Sequence, residues 1–260
     1  MKTRFALVAI LLMVAGPVAA QRTNPFGRSW LRVTGGADQV TNDYGDWRSV
    51  EARAAITAGS RDLILAETRW QEAFGDRGTW AGIGLRHAFG SKWFATASVG
   101  GGTGRFVLPD FRFDLSLHRK LLPADRLIAG VGFTAIRSKD VYRDRSVFGS
   151  LAYYFDGVVI EGGARINWSN PGAERSARGF GALTFGRAGQ RRLVLRGNAG
   201  RESYQLLGTQ PALRAFSSEE FGVEYEEWLG SRWSLILGGE TYHNPFYRRT
   251  GGRLGVARHW

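Results

Sequence analysis

Cysteine is absent from the 260 residues, which excludes a disulfide scaffold and a thioether-linked lipoprotein anchor. Histidine is scarce. His87, His118, His243 and His259 are the full complement, and they show no metal-ligand spacing with other donors. Past residue 20 no run approaches the roughly 20 consecutive apolar residues of a membrane-crossing helix. Acidic residues are outnumbered, with 23 Asp and Glu against 35 Lys and Arg and a formal net charge of +12. No cofactor motif is present: Gly100-Gly101-Gly102 and Gly104 do not open a helix after a strand, as a phosphate-binding loop would.

The chain starts with Lys2 and Arg4, a short apolar run over residues 5–16, and the small residues Val18-Ala19-Ala20. This pattern predicts a cleaved secretory signal peptide over residues 1–20. Export changes the meaning of the basic excess, because an exported protein meets phosphate-bearing lipid headgroups rather than nucleic acid. Residues 21–29 are expected to form a polar lead on the periplasmic side. Residues 30–260 are read as one domain without a linker.

The clearest local signal lies at residues 145–168. Val147, Gly149, Leu151, Tyr153 and Phe155 alternate with Phe148, Ser150, Ala152 and Tyr154. Asp156-Gly157 follows, a two-residue hairpin turn in which both residues would take positive φ. On the return, apolar Val158, Ile160, Gly162, Ala164, Ile166 and Trp168 alternate with Val159, Glu161, Gly163, Arg165 and Asn167. A period of two puts these sets on opposite faces of a strand. Each arm has about the ten residues that a tilted strand needs to cross hydrocarbon.

Twelve further segments can be drawn the same way, at 30–40, 48–59, 63–73, 79–89, 93–102, 111–121, 127–137, 178–186, 191–204, 219–229, 233–242 and 251–260. The total is about fourteen strands. Their connections alternate between tight turns and longer, charged links, including 169–176 and the longest loop at 205–218. An all-β, transmembrane, antiparallel up-and-down barrel has that alternation, with its short turns periplasmic. The predicted outer face carries Val50, Ala52, Ala54 and Ile56, Phe111, Phe113, Leu115 and Leu117, Leu193 and Leu195, and Leu235 and Leu237. The opposite face collects Glu51, Arg53, Glu67, Arg69, Arg112, Asp114, Glu161, Arg165, Arg196, Glu224 and Glu226. A water-filled lumen spares these charges most of the desolvation cost of a dry core. Phe148, Tyr154, Ile128 and Ile136 share the inward face. The last strand ends on Trp260, an aromatic end of the kind that barrel-assembly machinery reads.

Over residues 30–260 the sequence resembles the YaiO-type outer-membrane β-barrel proteins. The resemblance is carried by Asp43-Tyr44-Gly45-Asp46, by Asp110-Phe111-Arg112-Phe113-Asp114-Leu115 and by Leu121-Leu122-Pro123, with the hairpin at residues 151–159 and the aromatic final strand. It implies a single barrel in a bacterial outer membrane and little about chemistry. Some family members carry an upstream helical-repeat region and others sit beside envelope polysaccharide genes. No such repeat is visible in this chain.

Ser116, His118 and Asp114 fall on one strand face and are a candidate Ser–His–acid relay. They are expected on the lumen side near the short turns, away from lipid esters, so no catalysis is assigned. Arg61, Lys92, Arg119, Lys120, Arg126, Arg187, Arg191, Arg192 and Arg232 lie at or beside the tight turns. They read as anchors to lipid headgroups, or else as a positive periplasmic mouth for anionic solutes or glycans. Trp30, Trp80, Trp93, Trp168, Trp233, Tyr153 and Tyr242 read as interfacial girdles, or else as carbohydrate-stacking platforms. Three roles remain open: a pore for solute or glycan passage, a structural or surface-loop interaction barrel, and a barrel-wall hydrolase.

Overall fold

Fourteen strands wind in sequence order in the computed structural model, which describes residues 27–205 and 213–260. They are β1 (Trp30–Val40), β2 (Trp47–Ala58), β3 (Asp62–Ala73), β4 (Asp76–Phe89), β5 (Trp93–Gly102), β6 (Phe111–Leu121) and β7 (Leu127–Arg137). The second half comprises β8 (Arg143–Tyr154), β9 (Val158–Asn170), β10 (Glu174–Gly186), β11 (Arg191–Gln205), β12 (Leu213–Leu229), β13 (Trp233–His243) and β14 (Arg248–His259). The signal peptide expected over 1–20, most of the lead and the middle of the longest loop lie outside the described residues. Each strand pairs antiparallel with its neighbours, and β1 pairs β14 from Trp30↔His259 to Val40↔Arg249, which closes the barrel. Closure matters in hydrocarbon, where an open edge would leave backbone N–H and C=O groups without partners.

The period-two pattern now has an inside and an outside. Val50, Ile83, Leu85, Leu115, Val131, Leu151, Ile160, Leu237 and Leu254 are exposed on the outer face. Outward apolar side chains recur around the circumference, far more than a water-soluble monomer leaves uncovered. Lipid hydrocarbon is their solvent. The alternate residues face the interior, as ion pairs between strands that are not neighbours require.

Several strands run past their predicted ends. Almost all of this added length lies at the long-loop end, where β4, β8, β9, β10, β12 and β14 start or finish two or more residues beyond the alternating stretch. Leu213–Ser218 pairs within β12 instead of looping, and Ser169 pairs with Glu174. Above the hydrocarbon both faces of a hairpin are wet, so hydrogen bonding continues while hydropathic alternation stops. The Asp156-Gly157 turn also differs from expectation. Gly157 has φ +75° but Asp156 is not left-handed, and Phe155 N–H bonds the Val158 carbonyl at 2.8 Å. Phe155 faces Val158 in the register that pairs Tyr154 with Val159, so the connection is the expected two-residue turn, made with a single left-handed glycine.

Many inward glycines lie under a ring. A Cβ at Gly132 would strike Phe148, one at Gly163 would strike Phe180, and one at Gly130 would strike His118. These are directly opposed cross-strand pairs. The missing side chain lets each ring lie against the wall and cover the exposed backbone. Tyr44, Trp47, Phe74, Tyr242 and Tyr247 form an aromatic knot at the long-loop end, with ring centroids 4.8–6.5 Å apart. It ties the loop after β1, the turn after β3 and the loop after β13 together.

Candidate functional site

The interior divides into a dry wall, whose central carboxylates are buried, and a wet one, whose charges are mostly hydrated. On the dry wall, β11 to β14 and β1, Glu226 takes Arg192 at 2.6 Å, Arg32 at 3.4 Å and the Ser234 hydroxyl at 2.7 Å, with His259 Nε2 3.7 Å away. Arg32 also reaches Glu224 at 2.9 Å. Nearer the long loops, Glu240 gathers Arg196 and Arg249, each at 3.1 Å, together with Arg253, and Asp38 lies 3.7 Å from Arg249. The side chains of Glu226 and Glu240 are only 2% and 7% exposed. Burying a carboxylate this far costs several kcal/mol unless cations compensate for the lost water, and each of these has at least two.

The wet wall runs from β2 to β6. Glu51 holds Arg53 at 2.6 Å and also Arg69, and Glu67 stands 3.8 Å from Arg53 while accepting the Trp80 Nε1–H at 2.7 Å. Arg112 clamps Asp114 through Nε at 2.7 Å and Nη2 at 2.9 Å, and the Thr134 hydroxyl adds 2.8 Å. Here Arg53 is 46% exposed, and Glu67 and Arg112 are each 43% exposed. A cavity of about 410 Å³ lies against this wall between Trp30, Arg53, Leu65, Trp80, Ser98 and Arg112. A second of about 280 Å³ shares Arg53, Glu67, Trp80 and Arg112 and is roofed by Val107, Leu108 and Pro109.

The remaining predicted charges lie between these walls. Arg165 donates to Ser146 at 3.1 Å and Thr134 at 3.4 Å and sits 5.2 Å from the Phe148 ring. Glu161 is exposed on β9, opposite Ala152 and Ala182. Arg32, Asp38, Arg178, Glu202, Glu240, Arg249 and Arg253 were not among the sequence-derived residues, although strand parity would have found all but Arg249, which lies before the expected start of the last strand. Arg192 was grouped with the turn cations, but its register opposite Glu226 turns it inward. Trp30, Trp80 and Tyr242 likewise leave the girdles, because they share faces with Arg32, Glu67 and Glu240. Trp93, Trp168 and Trp233 are exposed on the outer face. Arg119 and Arg258 lie 5.1 and 5.9 Å from the Trp93 and Trp233 rings. Among the described residues, inward carboxylates nearly match inward cations. The basic excess is on the outer face, the turns and the loops.

His118 Nε2 and Ser116 Oγ are 3.0 Å apart, with the imidazole stacked on Phe94 at 4.7 Å. Asp114 is occupied by Arg112 and Thr134, so the acid that would orient the imidazole is engaged elsewhere. At the short turns Lys92 and Lys120 reach Asp125 at 2.7 and 3.4 Å, and Arg187 pairs with Asp156. The Lys92 hydrogen bond holds the Asp125 carboxyl below the ordinary carboxylate range. At the other end, Asp76 Oδ2 accepts the backbone N–H groups of Arg105, Phe106 and Val107 at 2.9, 2.9 and 3.2 Å, and Oδ1 that of Arg77 at 2.8 Å. Burial pushes the Asp76 carboxyl up, but the four amides outweigh it and hold it below its usual value. Thus the loop after β5 is latched with Leu108 turned into the barrel.

A closed, lipid-facing antiparallel cylinder with a charged interior defines the class: an outer-membrane β-barrel. The sequence matches the YaiO membrane beta barrel domain over residues 30–205, more than half of its length, and the chain belongs to that family. No curated protein matches it. Among solved structures it is similar to the CymD monoaromatic hydrocarbon channel, with a TM-score of 0.63, 7% identity and 90% of each chain covered. It is also similar to Omp33 of Acinetobacter baumannii, with a TM-score of 0.52, 9% identity, and 90% of this chain and 99% of that one covered. OmpT of Vibrio cholerae gives 0.51 at 7% identity, covering 89% and 96%. At these identities the likeness concerns the fold.

Proposed function

We propose that the barrel is a narrow pore for small polar solutes, glycan fragments among them, and that solutes move along its wet wall. The supporting observation is the contrast in hydration within one lumen. Arg53, Glu67 and Arg112 remain more than two-fifths exposed beside two adjoining cavities, whereas Glu226 and Glu240 are dry. Fixed charges of both signs along a hydrated wall favour dipolar and hydroxylated solutes and give no strong ion preference. In this reading the outer aromatic and cationic residues bind outer-membrane lipid, and β14 is the strand offered to the assembly machinery. The test is conductance in planar bilayers. A stable open state is expected, with selectivity moving toward cations in Arg53→Gln/Arg112→Gln. Silence over repeated insertions of folded protein refutes the pore. The dry network and the aromatic knot support a second reading, a rigid structural barrel, which such silence would favour. Esterase activity that disappears in Ser116→Ala would overturn both.

A further inference from the structure

Trp80 has an unusual seat. It lies on the inner face of β4, and its indole is spread over three inward glycines. A Cβ on Gly100 would overlap the benzo edge, one on Gly102 would come within 3.3 Å of Cε3, and one on Gly82 within 3.3 Å of Nε1. Gly82 and Gly100 are directly paired across β4 and β5, and Gly102 pairs with Trp80 itself. The glycine run noted in the sequence is therefore a floor. It brings the ring down onto the wall, and the Nε1–H bond to Glu67 fixes its rotation. The side away from the wall borders both cavities of the wet half.

Around that ring stand Arg53 and Arg112, each with its Nε and Nη2 engaged by a carboxylate and each lining both cavities. Glu67 and Asp114 add acceptors. A flat aromatic face beside fixed planar donors and acceptors suits a ligand with an apolar C–H face and a rim of hydroxyls. The local charge is balanced, Arg53, Arg69 and Arg112 against Glu51, Glu67 and Asp114. No net field therefore selects an anion. An apolar aromatic solute would leave the guanidinium and carboxylate rim without partners.

We infer that Trp80, on its floor of Gly82, Gly100 and Gly102, is a stacking platform for a neutral pyranose ring, with Arg53, Glu67 and Arg112 bonding its hydroxyls. The inference rests on the wet-wall reading above for the ligand's access to the site, but it concerns binding and not passage.

The test is isothermal titration of the detergent-solubilised full chain with maltotetraose and, separately, with digalacturonate. Saturable maltotetraose binding is expected, and Trp80→Leu should weaken it by about tenfold. Gly100→Ala should weaken it similarly with the indole still present, because the added Cβ takes the ring's place. Trp168→Leu, on the outer face, should leave it unchanged. Heat-modifiable migration on gels reports that each variant is folded. No saturable binding of either sugar, unchanged affinity in folded Trp80→Leu, or a preference for digalacturonate beyond about tenfold would overturn the assignment. Binding by a barrel that conducts no ions would refute the pore and leave this site standing. Conductance without sugar binding would do the reverse.

Discussion

Replacing Asp76 with Asn would test whether one carboxylate holds the loop at residues 103–110 in the barrel mouth. Asp76 is 5% exposed, so solvent screens its four amide bonds little. A hydrogen bond to a charged acceptor is worth about 1.5–3 kcal/mol, against about 1 for a neutral one. Asn keeps one oxygen for the three loop amides but turns its own NH₂ toward the Arg77 amide. The net loss is about 2–4 kcal/mol for opening the loop, which is about 30- to 1,000-fold in the opening equilibrium. Hydrogen exchange of the Arg105, Phe106 and Val107 amides in micelles should accelerate by that factor, while amides of β9 and β10 keep their rates. The pH dependence has a definite sign. The folded carboxyl titrates below the ordinary 3.8, so its contribution is complete above that value and is lost as pH falls through the lowered one. After correction for intrinsic rates, wild-type protection should be flat near neutrality and drop only below about pH 4, a step the Asn variant lacks. Single-channel conductance should also rise in the variant, because Val107, Leu108 and Pro109 roof the upper cavity. Equal exchange in the two proteins, or acceleration spread evenly over the strands, would refute the latch.

Two further outcomes are expected. Glu226→Ala leaves Arg32 with Glu224 alone and Arg192 with no carboxylate nearer than 4.0 Å and should destabilise the barrel by about 1.5–3 kcal/mol in urea titrations, whereas Arg53→Gln, on the wet wall, should cost under about 1 kcal/mol; comparable losses would contradict the dry-and-wet division. Trp260→Ala, or deletion of residues 254–260, should reduce the heat-modifiable protein in outer-membrane fractions, and an undiminished yield after deletion would contradict the closing role given to β14.

The fold was legible where the bilayer imposes its rule on every second residue. The ends of β1, β5, β6 and β7 fall where alternation starts and stops. The rule lapses above the hydrocarbon, and there β10 and β12 outran their patterns. Within the site the period-two rule also holds for Trp30 and Trp80, which lie near strand ends yet share faces with Arg32 and Glu67. Parity does not report distance across the lumen. That Arg32 meets Glu224 over two intervening strands depends on the closed curvature of the wall. Nor could the glycine run name the indole that lies on it.

The dry wall coincides with the seam of the barrel. Trp260 N–H bonds the Ser29 carbonyl at 3.0 Å, so the described chain runs once around the cylinder and meets itself. Every other strand pairing joins segments that are near in sequence. The β1–β14 pairing closes a loop of well over 200 residues, which costs about 3 kcal/mol more chain entropy than a hairpin. Arg32 enters from one side of that seam and Glu224, Glu226 and Glu240 from the other, and Arg249 and Arg253 on β14 reach Glu240 beside it. The ion network is an internal buckle, fastened where the cylinder is hardest to close and facing away from the lipid that seals the rest.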